Sequence, residues 1–247
     1  IGFNINEGDK IALIAPNGTG KSTLLRILAG NDKSDSGGKI TFLKHIRIAF
    51  LEQEFAHDPE KDIFTQVMDS SKQFTEGLDD DGLFAYELRV KKFITSFGLQ
   101  ADSLMKNLSG GEVKRVALTV MLASEADFFI MDEPTNHLDI DAIEFLENYL
   151  GHSRSTLLMV THDRYFLDHV CNTVMELDHG AVYTYRGNYE NYLEKRQERI
   201  DNYNSETAKV NNILRRELEW IRSSPCARTG KARYRINAFY ELKDRAE

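Results

Sequence analysis

An apolar run, Ile11-Ala12-Leu13-Ile14-Ala15, breaks at Pro16, and the chain then passes Gly18 and Gly20 to reach Lys21-Ser22-Thr23. Leu24, Leu25, Ile27 and Leu28 follow at helical spacing. Strand, glycine-rich turn and helix in that order place the turn at a helix N-terminus. Free backbone N–H groups and the helix dipole make such a turn a cradle for an anion. Lys21 adds a point charge and Ser22 a hydroxyl suited to Mg2+, so Asn17, Gly18, Thr19, Gly20, Lys21, Ser22 and Thr23 are candidate contacts for a nucleotide's phosphates. The usual spacing opens on a glycine where this chain has Ala15. Alanine serves there if its φ is negative.

Segments further along the chain decide whether this loop carries chemistry. Residues 1–6 and Lys39–Leu43 alternate like strands, and Ile46–Leu51 forms a further strand ending at Gln53, whose amide oxygen could face a metal or a water. Residues 54–107 read as helical, over Ile63–Met68 and Leu83–Phe97, around an acidic turn at 77–82. Leu108-Ser109-Gly110-Gly111-Glu112 is a second glycine-rich helix start, with Ser109 as N-cap and two glycines that would let a phosphate approach. Phe128-Phe129-Ile130-Met131 is a buried strand delivering Asp132 and Glu133. Strand alternation would aim one carboxylate at Mg2+ and the other at the attacking water. A helix is expected over Ile140–Leu150, and His137 before it reads as structural. Leu157–Val160 is apolar throughout, like a strand covered on both faces, and delivers Thr161-His162-Asp163. His162 can hydrogen-bond a terminal phosphate or the nucleophilic water. Thr173–Leu177 and Ala181–Tyr185 read as a hairpin.

From Tyr189 to Arg222 there is neither proline nor glycine, and Leu193, Ile200, Tyr203, Val210, Leu214 and Ile221 fall near a 3.5-residue period. One long helix is expected, followed after Gly230 by the start of a return helix in a coiled-coil hairpin. Residues 186–247 hold 14 Lys and Arg against 10 Asp and Glu, a basic balance inside a chain of net charge −8. Arg222, Arg228, Lys231, Arg233 and Arg235 cluster at the expected tip, which suits a phosphate-backbone partner, RNA or DNA. Two distant cysteines, Cys171 and Cys226, fit reduced thiols in a cytoplasmic protein. No apolar run reaches the roughly 18 residues of a membrane span, so no membrane insertion is expected.

Taken together these segments resemble the ATP-binding cassette superfamily, whose phosphate loop, glutamine, signature, Asp-Glu strand and histidine occur in this order. More narrowly, Leu51-Glu52-Gln53-Glu54, Asp132-Glu133-Pro134-Thr135-Asn136-His137-Leu138-Asp139 and Thr161-His162-Asp163-Arg164 look like the ABC-F family. Glu217–Arg222, Ala227-Arg228 and Tyr234-Arg235 are similar to the linker of its Uup branch. The resemblance implies ATP and Mg2+ as cofactors. Lys21 and the loop amides would hold the β- and γ-phosphates, with Ser22, Gln53 and Asp132 at the metal, Glu133 as general base and His162 sensing the γ-phosphate. Ser109, Gly110 and Gly111 would act in trans, on a nucleotide held by a second cassette of the same full-length chain or of a dimer mate. The aromatic that the family stacks on adenine would lie upstream of Ile1, and the short segment before the signature leaves no room for a long helical arm.

The expected fold is an α/β P-loop NTPase core over 1–187, with a helical subdomain at about 60–125, followed by a helical linker over 188–247. The expected function is ATP-driven closure of two cassettes acting on the ribosome, with the basic linker contacting RNA. The alternatives are the ATPase subunit of a transporter and a DNA-structure-binding ATPase in repair.

Overall fold

The computed structural model describes residues 2–34, 37–43 and 45–222. Its compact first unit, Ile1–Asn191, is built on a six-stranded sheet in the order β2-β3-β4-β1-β5-β6. The strands are β1 (Lys10–Ile14), β2 (Ile48–Leu51), β3 (Phe128–Asp132), β4 (Thr156–Val160), β5 (Thr173–Asp178) and β6 (Ala181–Arg186). All neighbours pair in parallel except β5 and β6, an antiparallel hairpin turning through His179 and Gly180, both at positive φ. Parallel pairing puts the C-terminal ends of β1, β2, β3 and β4 along one edge, where open α/β sheets bind their ligands.

Ile11, Leu13, Phe128, Ile130, Leu158, Val160, Met175 and Leu177 share one sheet face, and α1 (Lys21–Ala29) closes it with Leu25 and Leu28. Every residue of β3 and β4 is buried, as their unbroken apolar runs require of strands covered on both faces. Fully burying each such Leu or Ile contributes about 1.5–3 kcal/mol.

Helices α2 (Ile63–Ser70), α3 (Lys72–Thr75), α4 (Asp80–Ser96) and α5 (Gly110–Ala123) fill the space between β2 and β3 in sequence. Phe97 and Phe93 meet Phe145 edge-on from α6 (Ile140–His152). Then come α7 (Arg164–Val170) and α8 (Tyr189–Arg222). Burial pushes the Cys171 thiol well above its usual range, so it is a packed, unreactive group.

Several local expectations change. Residues 2–6 and 39–43 belong to no strand. Phe3 and Ile5 do pack on the core, so their alternation reports a face without a ladder, whereas Ile40, Phe42 and Leu43 are exposed. The acidic turn is shorter than 77–82, because the Asp79 carboxylate accepts from the Gly82 N–H at 2.9 Å and starts α4 at Asp80. The long helix runs over the expected Tyr189–Arg222 as α8, with Leu193 and Tyr203 exposed along its seam. The expected return helix, Cys226 and the basic tip residues Arg228, Lys231, Arg233 and Arg235 lie outside the described residues, as does the side chain of Arg222. No helix among the described residues is long and apolar enough to cross a membrane.

Candidate active site

The edge formed by the ends of four parallel strands opens into a cleft of about 580 Å3. It is lined by Asn17, Gly18 and Gly20 from the turn after β1, Lys21, Ser22 and Thr23 from the start of α1, Gln53 after β2, Asp132 at the end of β3 and Glu133 just after it, and His162 after β4. Four segments that are remote in sequence thus converge. Thr19 does not line the cleft; its hydroxyl donates to the Pro16 carbonyl at 2.7 Å and braces the turn.

The glycine-rich turn needs its glycines, since Gly18 and Gly20 have φ of 80° and 86°, and Gly20 is the N-cap of α1. Ala15 is not among the positive-φ residues, so alanine suits that position. Lys21 folds back over the loop, its Nζ donating to the carbonyls of Ala15 (3.0 Å) and Pro16 (3.3 Å) and to Asn17 Oδ1 (3.4 Å). All three acceptors are neutral, and the ammonium's charge also acts on the nearby Glu133 carboxylate; a phosphate entering the loop would meet that charge.

Glu133 departs from the alternation argument. β3 ends at Asp132, and Glu133 takes a left-handed φ of 47° while its N–H still donates to the Val160 carbonyl at 2.9 Å. Its side chain is aimed by this turn, a conformation that costs a non-glycine residue energy and is concentrated at functional sites. The carboxylate is buried, accepts from the His162 N–H at 3.2 Å and lies 3.5 Å from His162 Nε2. Burial raises its pKa, while the hydrogen bond and charge of His162 oppose the shift. A buried carboxylate of raised basicity beside an exposed imidazole is an arrangement suited to taking a proton from water.

Among the residues that line the cleft, Ser22, Gln53 and Asp132 offer hard oxygen donors that suit a cation. No group of three or more His, Cys, Asp or Glu able to hold a metal occurs among the described residues. Mg2+ prefers hard oxygen ligands of the kind Ser22, Gln53 and Asp132 offer, and takes others from water and phosphates. Asn136 also lines the cleft, though in the sequence it is only one residue of a polar turn.

Ser109, Gly110 and Gly111 stand apart from the cleft, at the start of α5. Ser109 and Glu112 form a capping box: Ser109 N–H donates to Glu112 Oε2 at 2.8 Å, and Ser109 Oγ accepts from the Glu112 N–H at 3.3 Å. The two glycines differ. A Cβ on Gly110 would meet nothing within 4 Å, whereas one on Gly111 would lie 2.3 Å from the carbonyl oxygen of His137. Gly111 is therefore required within its own chain, by the loop that leads away from Glu133. His137 holds that loop's turn with φ 65°, a structural role. The same loop ends at Asp139, which caps α6 through the Ala142 N–H (3.0 Å) and lies 3.5 Å from Arg115 of α5.

Sequence reasoning overlooks Lys114. It is buried, with Nζ donating to the carbonyls of Glu52 and Asp132 at 3.4 Å each, and burial lowers its pKa to about 8. The available signal is its place one helical turn before buried Leu118 and two before Met121.

A family model described as ABC transporter matches residues 1–136, more than half of the chain, and a second of the same description matches residues 175–247. The chain belongs to the ABC transporter family. This ABC cassette is 38% identical to YfmR of Bacillus subtilis (strain 168), an uncharacterized ABC transporter ATP-binding protein, over 99% of the chain and 44% of that protein. It is 35% identical to the energy-dependent translational throttle protein EttA of Escherichia coli (strain K12), over 98% of the chain and 49% of EttA. The chain thus spans about half the length of the curated relatives it matches. Among solved structures, the cassette resembles the archaeal ribosome recycling factor aABCE1 in its complex with the ribosomal stalk protein aP1. The TM-score is 0.56 at 25% identity, over 73% of this chain and 34% of the other. The mostly parallel sheet, the phosphate loop and the flanking helices are those of an ABC ATPase domain.

Proposed function

We propose that this chain is one cassette of an ABC-F type protein that binds and hydrolyses Mg2+-ATP and uses the cycle of cassette closure to act on the ribosome. The observation that carries the reading is the meeting of Lys21, Ser22, Asp132, Glu133 and His162 in one cleft, with Glu133 buried and held by His162. Lys21 and the amides of the glycine-rich turn bind and orient the β- and γ-phosphates. Ser22, Gln53 and Asp132 hold Mg2+, which neutralises phosphate charge when bound. Glu133 takes the proton of the attacking water, and the exposed His162 ring reaches the terminal phosphate.

Ser109, Gly110 and Gly111 lie outside this cleft, which fits a role toward the nucleotide of a second cassette. In this reading residues 1–187 are the cassette, with its helical subdomain at about 60–125, and 188–247 the linker. The ribosomal target is supported by the names of relatives, a translational throttle and a recycling factor bound to a stalk protein. Assignment to the Uup branch rests on Glu217–Arg222 at the end of α8 and on Ala227-Arg228 and Tyr234-Arg235 outside the described residues. RNA contact is proposed for Arg222, whose side chain is not described, and for Arg228, Lys231, Arg233 and Arg235, which lie outside the described residues.

The test uses the intact protein with its general base, Glu133 here, changed to Gln in each cassette, loaded with ATP and sedimented with ribosomes or with branched DNA of equal phosphate content. Co-sedimentation with ribosomes in ATP and release in ADP is the expected result. Preference for DNA, or binding to neither, would overturn the ribosomal reading.

A further inference from the structure

The first turns of α5 touch the backbone on both sides of the candidate base. Lys114 Nζ donates to the carbonyls of Glu52 and Asp132, each the residue immediately before a candidate active-site side chain, Gln53 and Glu133. β2 and β3 pair in register, Leu51 opposite Met131, so their ends run side by side and one ammonium spans both. A carbonyl oxygen and the following N–H lie in one rigid peptide plane. Holding the Asp132 oxygen therefore sets the plane from which the left-handed Glu133 residue turns, and holding the Glu52 oxygen does the same for Gln53. An ammonium has three donors and no acceptor, so it can serve both carbonyls at once. Beyond Glu133, the same helix receives the His137 carbonyl at Gly111 and pairs Arg115 with Asp139 at 3.5 Å.

Resting on the hydrolytic reading above, we propose that Lys114 is a positioning residue that holds the peptide planes preceding Gln53 and Glu133, and that it passes movement of the α5 N-terminus, where Ser109 and Gly110 would meet a second cassette's nucleotide, into the chain's own cleft. Lys114 thus links the signature turn's helix to both strand ends through its two carbonyl contacts. A nucleotide arriving in trans then alters the water-activating geometry in cis.

The experiment compares Lys114→Met and Lys114→Arg with wild type in the intact protein. Steady-state hydrolysis, thermal midpoint and deuterium uptake of peptides covering 50–54 and 132–139 are read for each. Met keeps the length and loses the donors, so kcat should fall roughly tenfold or more, with KM for ATP within about twofold and a modest fall in midpoint, because two carbonyls lose their donor and Asp132 and Glu133 lose a nearby cation. Uptake should rise in those two peptides, and Arg, which retains donors, should recover most of the lost kcat. A Met variant with kcat near wild type overturns the proposal, as does a loss of kcat matched by a proportional rise in KM that Arg does not recover, the signature of a packing role alone. Should the Met variant not fold, Lys114→Gln is read on the same scale. If the wild-type protein hydrolyses no ATP, the hydrolytic reading fails on its own. Deuterium uptake, which needs no turnover, still decides the positional claim: unchanged uptake overturns it.

Discussion

Glu133→Gln is expected to lower ATP hydrolysis by about 100-fold or more while leaving ATP binding nearly unchanged, since general-base assistance contributes on the order of 10²–10⁴ in rate. Glutamine keeps the shape and can still accept from the His162 N–H that now meets Glu133 Oε2 at 3.2 Å, but it cannot take a proton from water. The fold should not suffer. Burial raises the Glu133 pKa above its ordinary 4.5, so folding disfavours the charged carboxylate relative to the unfolded chain. The stability this carboxyl contributes is present below about pH 4.5 and is lost as pH rises through the raised value. At neutral pH the amide variant should therefore melt no lower than wild type. Steady-state phosphate release, nucleotide titration and a thermal scan at pH 7 check the three statements together. Undiminished turnover would move the base elsewhere.

Gly111→Ala is expected to do more damage than Gly110→Ala to the isolated fold, although both sit in the first turn of α5. The added methyl at 111 would meet the His137 carbonyl at 2.3 Å, and backbone on both sides leaves no flexible end to give way. Either the helix start withdraws or the loop behind Glu133 moves. Overpacking of this kind costs about 1–3 kcal/mol, against a gain of up to about 1 kcal/mol for Ala over Gly in a helix. The net loss corresponds to a few degrees in thermal midpoint for a chain of this size, roughly 2–4 °C per kcal/mol. Hydrolysis should fall by about 10- to 100-fold because the displaced loop begins at the base. Gly110→Ala, with no atom within 4 Å of its new methyl, should keep or raise the midpoint. If it nevertheless abolishes turnover, its glycine is required by a second cassette. Equal midpoints for the two variants would contradict the contact with His137.

Much of the fold and the cleft is legible in the sequence because the chemistry sits where regular elements end. The apolar run into Gly18 and Gly20, the capping box Ser109 to Glu112, and the fully buried strands before Asp132 and His162 each carry a local pattern that fixes both element and endpoint. α8 is equally plain, since nothing interrupts its helix from Tyr189 to Arg222. What escapes is non-local. The alternation of residues 2–6 and 39–43 cannot tell a strand from an extended segment, because a strand also needs a neighbour to pair with. Glu133 owes its aim to a left-handed turn rather than to strand alternation. Gly111 reads as a phosphate-approach residue, but the requirement the structure shows comes from His137, far along the chain. Lys114 looks like one more charge on a helix until β2 and β3 end beside it.

The most direct test of the central claim, that the cleft is a triphosphate site read by the glycine-rich turn, is equilibrium nucleotide binding to the intact protein. Displacement of a fluorescent nucleotide by ATP, ADP and AMP would be compared for wild type and Lys21→Ala, each with Mg2+ and with the metal chelated. Loss of a charge-assisted contact of about 1.5–3 kcal/mol predicts that Lys21→Ala weakens ATP binding by roughly 10- to 100-fold. Wild type should prefer ATP and ADP over AMP and lose affinity when Mg2+ is removed. AMP binding as tightly as ATP, or wild-type affinity in Lys21→Ala, would contradict the assignment.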